Sequence, residues 1–341
     1  MHARWVVAAT TVTVLLVGAA EARWRRPHPK ADDLGRGTVL HDGVERRFGW
    51  YAGSSVGSDP APIVLVLHGG GGSADRVWTG DDGRAWQRLA DDHGLLILLP
   101  EGRSDPSDPG AHHWNDCRAV VDEPDAASDA DDVGFLRAVV AWAAARWPVD
   151  HTRVYVTGAS NGGMMSFRMA IEAHDLVAAV APIIANMPEP SECRGPFRPL
   201  PVLIMNGTED PLMPWHGGCV ASRRCDRGTV LSTEDSVAFW VEVNRAATEP
   251  DCVDLPDLDP EDGSTVHACT WGGGAAGTEV VLYRIEGGGH APPGPDPLPF
   301  LYGLIVGPKN HDISAPDEIW AFFERHARAV PGPRRPTGRH G

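Results

Sequence analysis

Ser160 stands in Thr157-Gly158-Ala159-Ser160-Asn161-Gly162-Gly163-Met164-Met165, a run that joins the β-branched segment Arg153-Val154-Tyr155-Val156 directly to an apolar periodic one. That pattern predicts a strand, a one-residue corner and a helix. A serine at such a corner sits on a strained turn that only small neighbours tolerate. Gly158 and Gly162 permit the close backbone approach, and the Ser160 hydroxyl projects from the top of a sheet as a nucleophile. Near neutral pH a serine needs a base to take its proton and a third group to hold that base in the right tautomer. Asp210 lies in Asn206-Gly207-Thr208-Glu209-Asp210-Pro211 and His290 in Gly287-Gly288-Gly289-His290. Each follows an apolar strand-like run by a few positions, where a parallel sheet places its ligands. His290 is read as the base and Asp210 as its orienter. The rival acid is Glu209, and the rival histidines are His267 and His311.

The chemistry needs a fourth part, because negative charge appears on the former carbonyl oxygen as a tetrahedral intermediate forms. Preorganised backbone amides stabilise it, each by roughly 3–4 kcal/mol. Asn161, directly after the nucleophile, supplies one at a helix N-terminus. The loop His68-Gly69-Gly70-Gly71-Gly72 supplies the other, assigned to Gly70. The chain order Ser, Asp, His is that of α/β-hydrolases.

The elements that must position these groups alternate along the chain. Two β-rich runs from Thr38 to Tyr51 flank Asp42-Gly43, a hairpin turn signal. Continuous apolar runs at 63–67, 95–99, 178–185 and 201–205 read as strands buried on both faces, and 279–285 as a late strand. Helices are expected over 82–92, from Asp131-Asp132 to about Trp147, after Ser160, from Ser232 to Asn244, and after Ser314, where Asp317 completes a cap. The class is α/β, with a mainly parallel, doubly wound sheet and an N-terminal antiparallel hairpin. The aperiodic stretch from Glu101 to Asp131 carries His112, His113 and Trp114 and reads as a long loop.

The 341-residue chain is read as residues 1–22, a signal peptide; 23–35, a disordered linker; 36–327, one catalytic domain; and 328–341, a basic proline-rich tail. The opening segment has Arg4, an apolar run from Trp5 to Val17 and a small-residue end, so an extracellular, secreted protein is expected. The run is short for a membrane span, and no membrane association beyond it is expected. A formal charge of −16 with basic runs only at the termini excludes a nucleic-acid partner. Six cysteines in an exported chain favour disulfides. Cys219 with Cys225, Cys252 with Cys269 and Cys117 with Cys193 form one arrangement among several. No metal-ligand spacing is present, so no metal is expected.

With these residues laid out, the chain resembles the secreted polyhydroxybutyrate depolymerase and feruloyl esterase family of α/β-hydrolases over roughly residues 38–326. The resemblance rests on Leu67-His68-Gly69-Gly70, Trp114-Asn115, Asp132-Val133-Gly134-Phe135-Leu136, the 154–165 run around Ser160, Asn206-Gly207-Thr208-Glu209-Asp210, Gly287-Gly288-Gly289-His290 and Glu318-Ile319-Trp320-Ala321-Phe322-Phe323. It implies a cofactor-free serine esterase whose partner is an ester substrate, either a hydroxyalkanoate polyester or oligomer, or an acylated plant polysaccharide. It also favours the Cys252–Cys269 disulfide. Three departures bear on substrate: Pro292 stands where many relatives have tryptophan, Gly70 stands where polymer depolymerases often have cysteine, and the loop from His216 to Arg227 is a local addition. Trp114 and Trp215 are the substrate-binding candidates, as exposed aromatics, with Trp271 a further one. The rivals are a peptidase or thioesterase on the same scaffold and a non-catalytic carbohydrate- or surface-binding protein.

Overall fold

A computed structural model describes residues 28–57, 59–104, 108–119, 129–221 and 223–329. The expected signal peptide, the first five residues of the expected linker and all but two residues of the expected tail lie outside the described residues.

Ten strands build one sheet: β1 (Gly35–His41), β2 (Val44–Ala52), β3 (Ala61–Leu67), β4 (Leu96–Pro100), β5 (Val149–Ala159), β6 (Ala179–Ile183), β7 (Val202–Gly207), β8 (Asp251–Asp254), β9 (Thr265–Trp271) and β10 (Val280–Glu286). Their spatial order is β1-β2-β4-β3-β5-β6-β7-β10-β9-β8. The central strands β4, β3, β5, β6, β7 and β10 run parallel. The β1–β2 hairpin and the β9–β8 pair add antiparallel edges. At the hairpin turn Asp42 and Gly43 both take positive φ, 48° and 74°, whose twist matches that of the flanking strands.

Alternation along each central strand sends its side chains to two cores. Ile63, Leu65 and Leu67 of β3 pack on one face with the helices α3 (Asp132–Ala144), α4 (Asn161–Glu172) and α5 (Thr233–Asn244), through Phe135, Phe167 and Trp240. Val64 and Val66 pack on the other with α1 (Ala74–Thr79), α2 (Asp81–His93) and α7 (Ala315–Phe323), through Trp78, Trp86 and Phe322. Helices on both faces of a largely parallel sheet make this an α/β-hydrolase fold. One further helix, α6 (Phe300–Val306), lies between β10 and α7.

Several expectations need correction. Asp131 alone caps α3, accepting from the Gly134 amide at 2.9 Å. Asp132 is fully buried and pairs instead with Arg46 at 2.7 Å. The helix ends at Ala144, short of Trp147. Ser314 makes no side-chain cap on α7, and Asp317 is turned to Arg88. Residues 28–35, expected in a disordered linker, include a 3-10 turn over Ala31–Asp33, because Leu34 is buried in the core beneath α1 and α2. The three disulfides are Cys117–Cys193, Cys219–Cys225 and Cys252–Cys269, the last joining opposed positions of β8 and β9.

Candidate active site

Four strands of the parallel region end at the same edge, and each hands over one part of the site. After β5 the chain turns at Ser160, whose φ of 56° and ψ of −119° are strained for a residue with a side chain. The turn is held by the Ser160 amide donating to Ile183 O at the end of β6, 2.9 Å away. A Cβ on Gly158 would lie 2.7 Å from Leu67 O and from the Gly162 backbone. One on Gly162 would lie 2.5 Å from Leu67 O and His68 O. Only glycine lets β5, α4 and the end of β3 meet this closely.

After β7 comes Asp210 and after β10 comes His290, 80 residues apart in sequence and hydrogen-bonded through His290 Nδ1 and Asp210 Oδ2 at 2.6 Å. The other oxygen, Asp210 Oδ1, accepts from the amides of Leu212 and Met213, both at 2.7 Å. The carboxylate is therefore fixed on both sides. With Nδ1–H directed at a carboxylate, Nε2 of the neutral ring is the acceptor.

After β3 the loop His68–Gly72 folds over the N-terminus of α4. The Gly71 amide donates to His112 O and the Gly72 amide to Gly69 O, both at 2.9 Å. The Gly70 and Asn161 amides have no acceptor among the described residues, and a Cβ on Gly70 would sit 3.6 Å from that of Asn161. Two adjacent donors are thus left beside Ser160.

Buried groups hold this pair in place. His68 Nε2 accepts from the Gly102 amide at 3.0 Å, so Nδ1 carries the proton and donates to Gly69 O at 2.8 Å. Burial disfavours the charged ring and pushes its pKa down to about 3. Asn161 accepts from the Trp114 amide at 2.8 Å and donates to Trp114 O at 3.0 Å and to Asp116 Oδ2 at 2.6 Å. Asp132 accepts from the Asn115 amide at 2.8 Å, and Arg168 donates to Asn115 O at 2.7 Å. Ser160, Asn161, His290 and the glycine loop all line one cavity of about 860 Å³.

A family described as Esterase PHB depolymerase matches residues 47–185, the part that carries the glycine loop and Ser160. A curated relative, "Putative esterase NocK" of Nocardia uniformis subsp. tsuyamanensis, is 30% identical over 310 residues, covering 88% of this chain and 85% of its own. The chain belongs to the polyhydroxybutyrate depolymerase and feruloyl esterase family. It is a carboxylic ester hydrolase. "Feruloyl esterase B" of Piromyces equi is 27% identical over 240 residues, 69% of this esterase, which spans only 40% of that relative's length. In fold the esterase is similar to a thermostable esterase (TM-score 0.53, 16% identity, 87% of this chain and 64% of that one). It is equally similar to the acetyl xylan esterase from Aspergillus awamori (TM-score 0.53, 14% identity, 85% and 99%).

Two candidate residues of the esterase are not where an exposed aromatic would be. Trp114 is 2% exposed, its indole N–H donating to His68 O at 2.9 Å and its ring packed on the His68 imidazole. Trp215 is 5% exposed and its indole donates to Glu234 at 2.6 Å. Each indole is buried because its single donor finds an internal acceptor. Neither ring lines the cavity, so both are corrected from substrate-binding to structural. Trp271 is half-buried in β9. Of the rivals, Glu209 is exposed, and His267 pairs with Asp254 at the antiparallel edge. His68 was named in the sequence only as the head of the glycine loop, with no role of its own, and Asp116 was not singled out. The signals for these roles were the histidine that heads the glycine loop directly past a buried strand, and a carboxylate two places after Trp114.

Among the described residues, one group with metal-ligand geometry lies at the cavity rim, His28, Asp81 and Asp296. Lys309 is already bound to Asp81 and Arg84 to Asp296, and two cations at those carboxylates oppose a third. The other groups use disulfide cysteines or the α3 cap.

Proposed function

We propose that this esterase is secreted and cleaves carboxylic esters through a Ser160–His290–Asp210 triad and an acyl-enzyme. Ser160 Oγ attacks the ester carbonyl carbon while His290 Nε2 takes the hydroxyl proton, and Asp210 holds the imidazolium that results. The Gly70 and Asn161 amides stabilise the oxyanion. The intermediate collapses, the alkoxide leaves with the proton from His290, and Ser160 keeps the acyl group. Water then attacks that ester with His290 again as base, releasing the acid and restoring the serine. The observation that carries this reading is the fixed Asp210–His290 pair, whose imidazole lines the same cavity as a serine on a strained turn.

The substrate class follows the relatives' names, which include feruloyl esterase and acetylxylan esterase beside the polyhydroxybutyrate depolymerase family. Hydroxyalkanoate oligomers or polyesters and feruloyl or acetyl esters of polysaccharide are the two classes to separate. Secretion is supported by the N-terminal pattern and by three disulfides, which persist in oxidising compartments. Hydrolysis of short p-nitrophenyl esters, methyl ferulate and a hydroxybutyrate oligomer by the purified protein tests it, with the Ser160→Ala variant alongside. Turnover of one class that vanishes in the variant is expected. A folded wild type inert on every ester contradicts the reading.

A further inference from the structure

Three histidines meet beside the glycine loop, and two of them are wired into it. His68 bonds through both ring nitrogens, to Gly69 O and the Gly102 amide, and His112 Nδ1 donates to Gly72 O at 3.1 Å. His113 differs. Its half-buried ring makes no hydrogen bond or ion pair among the described residues, yet it lines the cavity that holds Ser160, Asn161 and the glycines. Its backbone, by contrast, is held on both sides. His113 pairs with Arg103 in a short antiparallel ladder, and the next residue, Trp114, is bonded to the Asn161 side chain. The imidazole is thus presented to the cavity from a fixed main chain, with its donor and its acceptor both unused. A half-buried polar group of that kind is satisfied by water or by a ligand.

The place of the ring identifies which part of a substrate it meets. A Cβ built on Gly70 would lie 3.4 Å from His113 Nδ1 and 3.7 Å from its Cε1, so the ring stands where a side chain at position 70 would project. A Cβ lies about 2.5 Å from its own amide nitrogen, which puts Nδ1 within roughly 6 Å of the Gly70 donor. With a hydrogen bond of about 2.9 Å at each end, two nitrogens that close reach oxygens on neighbouring parts of one molecule. We propose that His113 is a specificity-determining residue that hydrogen-bonds a second oxygen of the substrate, carried about three bonds from the scissile ester group; this rests on the esterase reading above. That oxygen belongs either to the acyl chain, as a 3-hydroxyl, or to the alcohol, as a hydroxyl on the neighbouring carbon. An unsubstituted ester leaves the ring hydrated. A second base fits poorly, because no carboxylate pairs with His113 among the described residues, whereas His290 is oriented by Asp210. A third oxyanion donor fits poorly too. The Cβ and N–H bonds of one residue point in different directions, so His113 stands beside the line of the Gly70 amide and not along it.

The test compares ethyl butyrate with ethyl 3-hydroxybutyrate and with 2-hydroxyethyl butyrate, in full-length wild type, His113→Phe and His113→Gln. Phenylalanine keeps a ring without a polar atom, and glutamine keeps a donor and an acceptor. The quantity read is kcat/KM for each hydroxylated ester divided by that for ethyl butyrate in the same protein. Intrinsic reactivity of the esters cancels between proteins, and any general loss of active enzyme cancels within each. One ratio is expected to fall by roughly three- to tenfold in His113→Phe, the size of one neutral hydrogen bond, and to recover in His113→Gln. A fall for the 3-hydroxy ester puts the oxygen on the acyl side, and one for the 2-hydroxyethyl ester puts it on the alcohol side. Two unchanged ratios overturn the proposal and leave His113 to water. An equal loss on all three esters overturns it in favour of an oxyanion or structural role. If wild type cleaves ethyl butyrate while the ratios stay constant, only this assignment fails. If wild type cleaves no ester, the esterase reading fails and the assignment falls with it.

Discussion

The indole of Trp114 donates to the carbonyl oxygen of His68 at 2.9 Å, and the same residue's backbone exchanges two hydrogen bonds with the Asn161 side chain. One buried tryptophan therefore links the two segments whose amides face Ser160. The distance between those amides is set by packing behind them, because neither donor is itself restrained by a hydrogen bond among the described residues.

Trp114→Phe keeps an aromatic ring and removes the indole donor, leaving His68 O buried and unpaired at a cost of about 1–3 kcal/mol. The expected outcome is a lower melting temperature and a kcat reduced by roughly tenfold or more, with KM little changed, because the oxyanion forms only after substrate binds. Steady-state kinetics on a p-nitrophenyl ester check this. A rise in KM at constant kcat would instead put Trp114 in contact with substrate.

Asp210→Asn keeps one carbonyl oxygen to accept the Leu212 and Met213 amides and turns its NH2 donor toward His290 Nδ1, which must then accept and so carries the wrong tautomer. Thermal stability should change little and kcat should fall by about 10³–10⁴, the size expected when the base sits in the wrong tautomer. A loss under about tenfold would remove Asp210 from the mechanism.

The site was legible wherever chemistry and backbone constraint coincide in a few consecutive residues. Ser160 between Gly158 and Gly162 is such a case, since the strained corner itself demands the glycines. The pairing of Asp210 with His290 was reachable because both follow buried strands of a parallel sheet. Trp114 and Trp215 were misplaced because an indole reads the same whether it faces water or a buried carbonyl. Burial depends on acceptors contributed from elsewhere, His68 O and Glu234. The capping pattern at Ser314 and Asp317 failed for the same reason, as Arg88 of α2 draws the carboxylate away.

His68 makes stability depend on pH in a definite direction. Its folded pKa lies at about 3, below the ordinary value of 6.5, so between those limits the unfolded chain holds a proton that the folded chain does not. Its contribution is present above about pH 6.5 and is lost as pH falls toward 3, amounting to about 3 kcal/mol between pH 7 and pH 4. Asp82 acts oppositely. Burial raises its carboxyl to about 6, so its folded form binds the extra proton and stability gains as pH falls through that value. Urea midpoints from pH 7 to pH 4 for His68→Gln should fall less steeply than for wild type. Those for Asp82→Asn should fall more steeply.

The Cys117–Cys193 bridge closes a loop of 76 residues and anchors the segment that carries Trp114 and Asp116. Replacing both cysteines by serine should cost about 2–5 kcal/mol, read as a shifted denaturation midpoint. It should also lower kcat more than the equivalent change at Cys252–Cys269, which staples an edge hairpin away from the cavity. Equal kinetic effects from the two pairs would deny the link between this bridge and the Gly70 and Asn161 amides.

Covalent capture tests the central claim most directly. A fluorophosphonate presents a tetrahedral phosphorus to an activated serine, so incubation followed by peptide mass analysis reports which hydroxyl attacks. The account predicts a single adduct on Ser160, absent from Ser160→Ala and strongly slowed in His290→Ala, with ester hydrolysis lost in parallel. Labelling of another residue, or ester turnover that survives in Ser160→Ala, would contradict it.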